Sequence, residues 1–135
     1  VYIDAAVSRS IMVAPDLVQG QLNNGTLRSW VVFGLGTNGA ITTAQLDQLK
    51  NMLGPDRVMV LVTAHGDRSW IPVSNQAMQA YAAAHADSVV LADWDSAAAS
   101  NPQVLGADGI HPGLDTDLYA QTVKQAIERW IEAGH

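Results

Sequence analysis

The chain has no cysteine, which excludes disulfides, thiol nucleophiles and cysteine-ligated zinc while leaving the redox compartment open. It is also short of positive charge: 7 Lys and Arg stand against 13 Asp and Glu, a net charge of -6, with no basic run. That balance argues against nucleic acid or an anionic membrane surface as a partner and suits a neutral or cationic small substrate, or a polysaccharide. No apolar run approaches the ~18 residues of a spanning helix. Nothing resembles a signal peptide, so an exported protein would carry its targeting segment outside these residues. There is no repeat, linker or low-complexity segment. With 135 residues, a single domain spanning 1–135 is expected, burying roughly two-thirds of its unfolded surface.

Four short apolar runs, residues 1–7, 30–35, 58–63 and 89–92, are continuous rather than alternating, the pattern of strands covered on both faces. Between them lie helical patterns. Pro15 suits the first turn of a helix over residues 15–23, with Leu17, Val18 and Leu22 inward and Asn24-Gly25 closing it. Thr42 and Gln45 stand at capping-box spacing ahead of Leu46, Leu49 and Leu53, and Gly54-Pro55 stops that helix. A third helix is expected to start near Ser74, with Ala77, Ala80, Tyr81 and Ala84 on one face. After the last strand, Asp93-Trp94-Asp95 leads into an alanine-rich turn. The final helix spans about 115–133, with Tyr119, Val123, Ala126, Ile127 and Trp130 at helical spacing. Alternating strands and helices of this kind predict a three-layer α/β/α sandwich on a parallel, flavodoxin-like sheet.

In that architecture ligands gather outside the C-terminal ends of the strands. Five polar stretches fall there: residues 8–10, 36–39, 65–70, 93–95 and 108–111. The last holds Asp108 and His111 on a loop flanked by Gly109, Pro112 and Gly113. An imidazole oriented by a carboxylate is equipped to move a proton on and off a nucleophile, which points to a hydrolase or acyl transferase.

Gly34-Leu35-Gly36-Thr37-Asn38-Gly39 after a buried strand, with Asp108-Gly109-Ile110-His111-Pro112 before the last helix, resembles the SGNH (GDSL-like) hydrolase superfamily. More narrowly it resembles the extracytoplasmic domain of the peptidoglycan O-acetyltransferases. The stretch from Tyr2-Ile3-Asp4-Ala5 to Arg9 and the loop ending Arg68-Ser69-Trp70 are similar to that subgroup. The resemblance implies that His111 is the general base and then acid, with Asp108 orienting it. Asn38 and Ser8 would be oxyanion-hole donors, and His65, Arg68 and Trp70 candidate substrate-binding residues. It implies a serine-type acetyltransferase or esterase working through an acyl-enzyme on acetyl esters of a cell-wall glycan, outside the cytoplasm or at the cell surface. No cofactor and no metal is implied.

The family carries its nucleophilic serine in a Gly-Asp-Ser motif at the end of its first strand, and this chain contains no Gly-Asp-Ser. Gly66-Asp67-Arg68-Ser69 follows the wrong strand and has an inserted arginine. The 1–7 run corresponds to the family's second strand, so in the order 2-1-3-4-5 the first strand would stand between runs 1–7 and 30–35. The expectation is that a strand–helix unit bearing the serine is missing from the chain. The unit would be absent, cleaved off or supplied by another chain, and the partner expected is a membrane acyltransferase domain or an N-terminal fragment carrying the serine. Direct pairing of the two runs, with no other polypeptide between them, is the geometry that counts against this. The alternative function is a non-catalytic SGNH-like module that binds glycan or protein. Under a third reading, an unrelated flavodoxin-like binding domain, His111 and Asn38 would lie apart.

The same residues have plainer roles as well. Asn38 suits a left-handed turn beside glycines, Trp70 suits packing, and Trp30, Trp94 and Trp130 read as core or rim. His85 and His135 read as incidental.

Overall fold

The computed structural model describes residues 3–7, 14–25, 30–34, 41–66, 69–100 and 117–134. Its strands are β1 (Ile3–Val7), β2 (Trp30–Gly34), β3 (Val58–Val62) and β4 (Val89–Ala92). The helices are α1 (Ala14–Asn24), α2 (Thr43–Leu53), α3 (Ile71–Ala84), α4 (Trp94–Ser100) and α5 (Asp117–Glu132). The four strands form one parallel sheet in the order β1-β2-β3-β4.

Side chains alternate across a strand, so each apolar run feeds two cores. Val31, Phe33, Met59, Leu61 and Val89 pack with Val18 of α1, Leu46, Leu49 and Leu53 of α2, and Met78 and Tyr81 of α3. Val32, Val60, Val62, Val90 and Ala92 face the other way, onto Trp94 and Ala98 of α4 and Val123, Ala126 and Ile127 of α5. Helices on both faces of a parallel sheet make the three-layer α/β/α sandwich expected. On the second face Trp30 and Trp130 meet edge to face, with ring centroids 5.6 Å apart.

The start of α2 is built as its spacing requires. Thr42 accepts from the Gln45 backbone N–H at 3.2 Å, and Gln45 Oε1 accepts from the Thr42 N–H at 3.0 Å. Gly54, with φ 79°, ends the helix through its N–H on the Lys50 carbonyl.

Three local expectations are corrected. Helix α3 begins at Ile71, with Pro72 in its first turn. Ser74 is therefore already inside it, and its Oγ accepts from the Ile41 N–H at 2.9 Å in the core. Its buried face is Ile71, Ser74, Asn75, Met78, Tyr81 and Ala82, whereas Ala80 and Ala84 are exposed. The alanine-rich turn after β4 is helix α4. Asp93 accepts from the Ser96 N–H at 3.2 Å, as an N-cap does, and alanine is the best helix former.

The sheet order bears on the expected central strand. Taking the first strand out of 2-1-3-4-5 leaves four strands in the order found, but with no gap. Ile3 pairs with Trp30 and so on to Val7 with Gly34. The open slot expected between them is closed in this chain, because two parallel edges with unsatisfied backbone groups pair with each other.

Candidate functional site at the carboxyl edge of the sheet

Where β3 and β4 end, their loops run on side by side. The ladder pairs Val62 with Ala92, and the Thr63 N–H continues it to the Ala92 carbonyl at 3.0 Å. Beyond that point side chains take over at the same offset. Thr63 Oγ1 donates to Asp93 Oδ1 at 3.1 Å, a separation of 30 residues, and accepts from the Asp95 N–H at 2.9 Å. Thr63 is only 2% exposed, so its hydroxyl ties the two loops together out of solvent. Asp93 is satisfied locally, since its second oxygen accepts from Ser96 Oγ at 2.9 Å.

The next residue, Ala64, is held from the other side. Its N–H donates to Asn75 Oδ1 and its carbonyl accepts from Asn75 Nδ2, both at 2.8 Å. His65 follows directly, and its Nδ1 lies 2.9 Å from Asp95 Oδ1. A carboxylate only accepts, so Nδ1 donates to Asp95 and Nε2 is left as the second hydrogen-bonding nitrogen of the ring. The pair is partly open, with side-chain exposures of 25% for His65 and 47% for Asp95. Gly66 then takes φ 147°, a conformation that favours glycine. Trp70, half-buried, precedes α3 and accepts the Ser74 N–H on its carbonyl at 2.9 Å.

Of the residues expected at the site, His65 and Trp70 stand on this edge. Ser8, Asn38, Arg68, Asp108 and His111 lie outside the described residues, as does any convergence of His111 with Asn38. Thr63 and Asn75 were not singled out by sequence reasoning, and Asp95 was placed on this edge only as part of the polar stretch 93–95. For Thr63 and Asp95 the available signal was position: both flank parallel strands whose pairing register sets them side by side. Asn75 gave none, because its two bonds reach back across a loop. Among the described residues no group of three His, Asp or Glu side chains stands together in a way that could hold a metal ion. No described helix is long and apolar enough to cross a membrane. Two open grooves, one along α2 and α3 beside Tyr81 and one along β4 beside Trp130, include neither His65 nor Trp70.

No protein-family model matches the chain. It is 32% identical over 111 residues to the putative peptidoglycan O-acetyltransferase YrhL of Bacillus subtilis, covering 82% of this chain and 17% of that protein. It is 34% identical over 110 residues to the O-acetyltransferase OatA of Staphylococcus aureus, covering 81% of this chain and 18% of that protein. The chain thus spans less than a fifth of the length of these relatives. Among solved structures, it is similar to the C-terminal catalytic domain of peptidoglycan O-acetyltransferase A from Streptococcus pneumoniae, solved with a methylsulfonyl adduct. The TM-score is 0.72 at 25% identity, covering 93% of this chain and 78% of that one. The chain is therefore a homologue, over about four-fifths of its length, of part of the peptidoglycan O-acetyltransferases, with the α/β sandwich of an SGNH-type catalytic domain.

Proposed function

We propose that this chain is the larger part of a serine-type SGNH domain that moves acetyl groups on a cell-wall glycan, as an O-acetyltransferase or as an esterase. The observation that carries the reading is the likeness, over 93% of the chain, to a domain described as catalytic in a peptidoglycan O-acetyltransferase. The sequence likeness to two longer O-acetyltransferases supports it.

The serine hydroxyl attacks the acyl carbonyl while His111, oriented by Asp108, takes its proton. Asn38 and Ser8 donate to the oxygen that becomes negative, a contribution of about 2.7–4 kcal/mol for a side-chain donor of this kind. Collapse of the intermediate breaks the ester of the acyl donor, and His111 returns the proton to the departing oxygen. A sugar hydroxyl, or water, then attacks the acetyl-enzyme with the same proton traffic in reverse. Transferase and esterase differ only in how well water is kept from that second attack. Arg68 and Trp70 would contribute to glycan binding. No cofactor enters the scheme.

The serine belongs to a strand–helix unit that is not in this chain. The direct pairing of β1 with β2, from Ile3 with Trp30 to Val7 with Gly34, counts against that unit standing between them in this chain. The domain works outside the cytoplasm, and a membrane acyltransferase domain supplies the acyl group.

The test is acetyl release from a chromogenic ester by the protein joined to its serine-bearing segment. A His111→Ala variant is expected to lose at least a hundredfold in rate. Equal rates for the two proteins would sink the assignment. A parent protein that binds glycan without releasing acetyl would favour the non-catalytic module.

A further inference from the structure

We propose that His65 and Asp95 form a hydroxyl-binding subsite. In it, Nε2 of His65 accepts a hydrogen bond from a hydroxyl of a neutral sugar. On the function proposed above, this sugar is the acyl acceptor.

Three observations lead there. First, the imidazole is oriented rather than merely present. Asp95 fixes the Nδ1–H at 2.9 Å, which leaves the Nε2 lone pair as the free hydrogen-bonding group, and no described residue occupies it. Second, both members are placed by groups more buried than themselves. Ala64, just before His65, is clamped at 2.8 Å on both backbone groups by Asn75, which is 6% exposed. The Asp95 N–H rests on Thr63 Oγ1 at 2.9 Å, and Thr63 is 2% exposed. A half-exposed hydrogen-bonded pair of this kind contributes little to stability, so such support is more than the fold requires of it. Third, the pair stands at the carboxyl edge of β3 and β4, where this architecture binds ligands.

The charges choose the ligand class. Asp95 against the imidazole, with Asp93 two residues before it on the same loop, disfavours an anionic ligand. An acceptor nitrogen beside a carboxylate admits a neutral or cationic donor, and on the function proposed above that donor is a sugar hydroxyl. Asp95 acts through His65 and is a positioning residue.

The experiment follows the imidazole nitrogens of the labelled protein by long-range proton–nitrogen correlation, using a β-1,4-linked N-acetylglucosamine tetrasaccharide as the probe. In the free protein, His65 is expected as the Nδ1–H tautomer. On titration its Nε2 should shift saturably, while His85, whose Nδ1 is bonded to the Tyr81 carbonyl at the opposite edge of the sheet, stays in place. His65→Ala and His65→Gln should each weaken binding at least fivefold. Asp95→Ala should lose the fixed tautomer and weaken binding, and Asp95→Asn, which keeps an acceptor oxygen, should restore both. His85→Gln should bind as the parent does. An unmoved His65 signal, equal affinity in the His65 variants, or no binding by the parent overturns the subsite. The ester assay on His111→Ala is a separate readout. Binding at His65 with an unchanged ester rate keeps the subsite and removes the acyl-transfer reading, whereas the opposite pattern removes the subsite alone.

Discussion

Asn75 grips both backbone groups of Ala64, accepting its N–H and donating to its carbonyl at 2.8 Å each. The side chain is 6% exposed, so water does not replace it when it is removed. Asn75→Ala leaves a buried donor and a buried acceptor unpaired, at about 1–3 kcal/mol for each such group. The expected loss of stability is about 2–6 kcal/mol, measured by urea unfolding. Asn75→Asp, which buries a carboxylate oxygen against the Ala64 carbonyl, should be at least as destabilising at neutral pH. A midpoint unchanged in Asn75→Ala would show the clamp to be incidental.

The capping box of α2 predicts a smaller effect. Thr42→Ala removes the acceptor for the Gln45 N–H and should cost about 1 kcal/mol. Gln45→Ala releases only the reciprocal bond to the Thr42 N–H and should cost less. If each bond acts by orienting the other, the double variant loses less than the two single effects together, which a double-mutant cycle measures.

Core and surface positions should separate cleanly. Leu49 is 0% exposed between α2 and the sheet, whereas Val73 on α3 is 57% exposed. Leu49→Ala is expected to destabilise by about 2–5 kcal/mol, and Val73→Ala to stay within about 0.5 kcal/mol of the parent. Comparable losses at both positions in thermal or urea unfolding would contradict the assignment of the core face.

Tyr81 predicts an alkaline transition. Burial, together with its hydrogen bond to Asp47 at 2.9 Å and the charge of that carboxylate, pushes its hydroxyl up to about 12 from 10.0. The unfolded chain gives up this proton at the lower value, so the stability tied to it is fully present below pH 10. It is lost as the pH rises from there through about 12. Tyr81→Phe should flatten this part of the stability profile and remove the latest tyrosinate absorbance from a spectroscopic titration. A parent protein whose three tyrosines all ionise together near 10 would refute the prediction.

The strands and the capped helix were legible because their signals are local. An apolar run such as 30–34 can only be covered on both faces, and Thr42 with Gln45 needs no distant partner to start a helix. Helix α4 was less visible because seven residues with three alanines read equally as a turn. Only Asp93 capping Ser96 tips the balance. The start of α3 was misplaced for the opposite reason. Ser74 has the chemistry of an N-cap, but its hydroxyl serves the Ile41 N–H, 33 residues away, and no local pattern reports that.

The site divides in the same way. Composition and order alone placed polar loops after apolar strands, and the paired Gly-Thr-Asn and Asp-Gly-Ile-His-Pro stretches carried the resemblance that the relatives support. Only the tertiary structure decided that β1 lies beside β2 and that His65 meets Asp95. Those are pairings between distant segments, chosen when sheet edges satisfy one another's backbone groups and when one strand's register slides its end loop against its neighbour's. A chain of residues encodes which segments become strands far more directly than which strand each will meet.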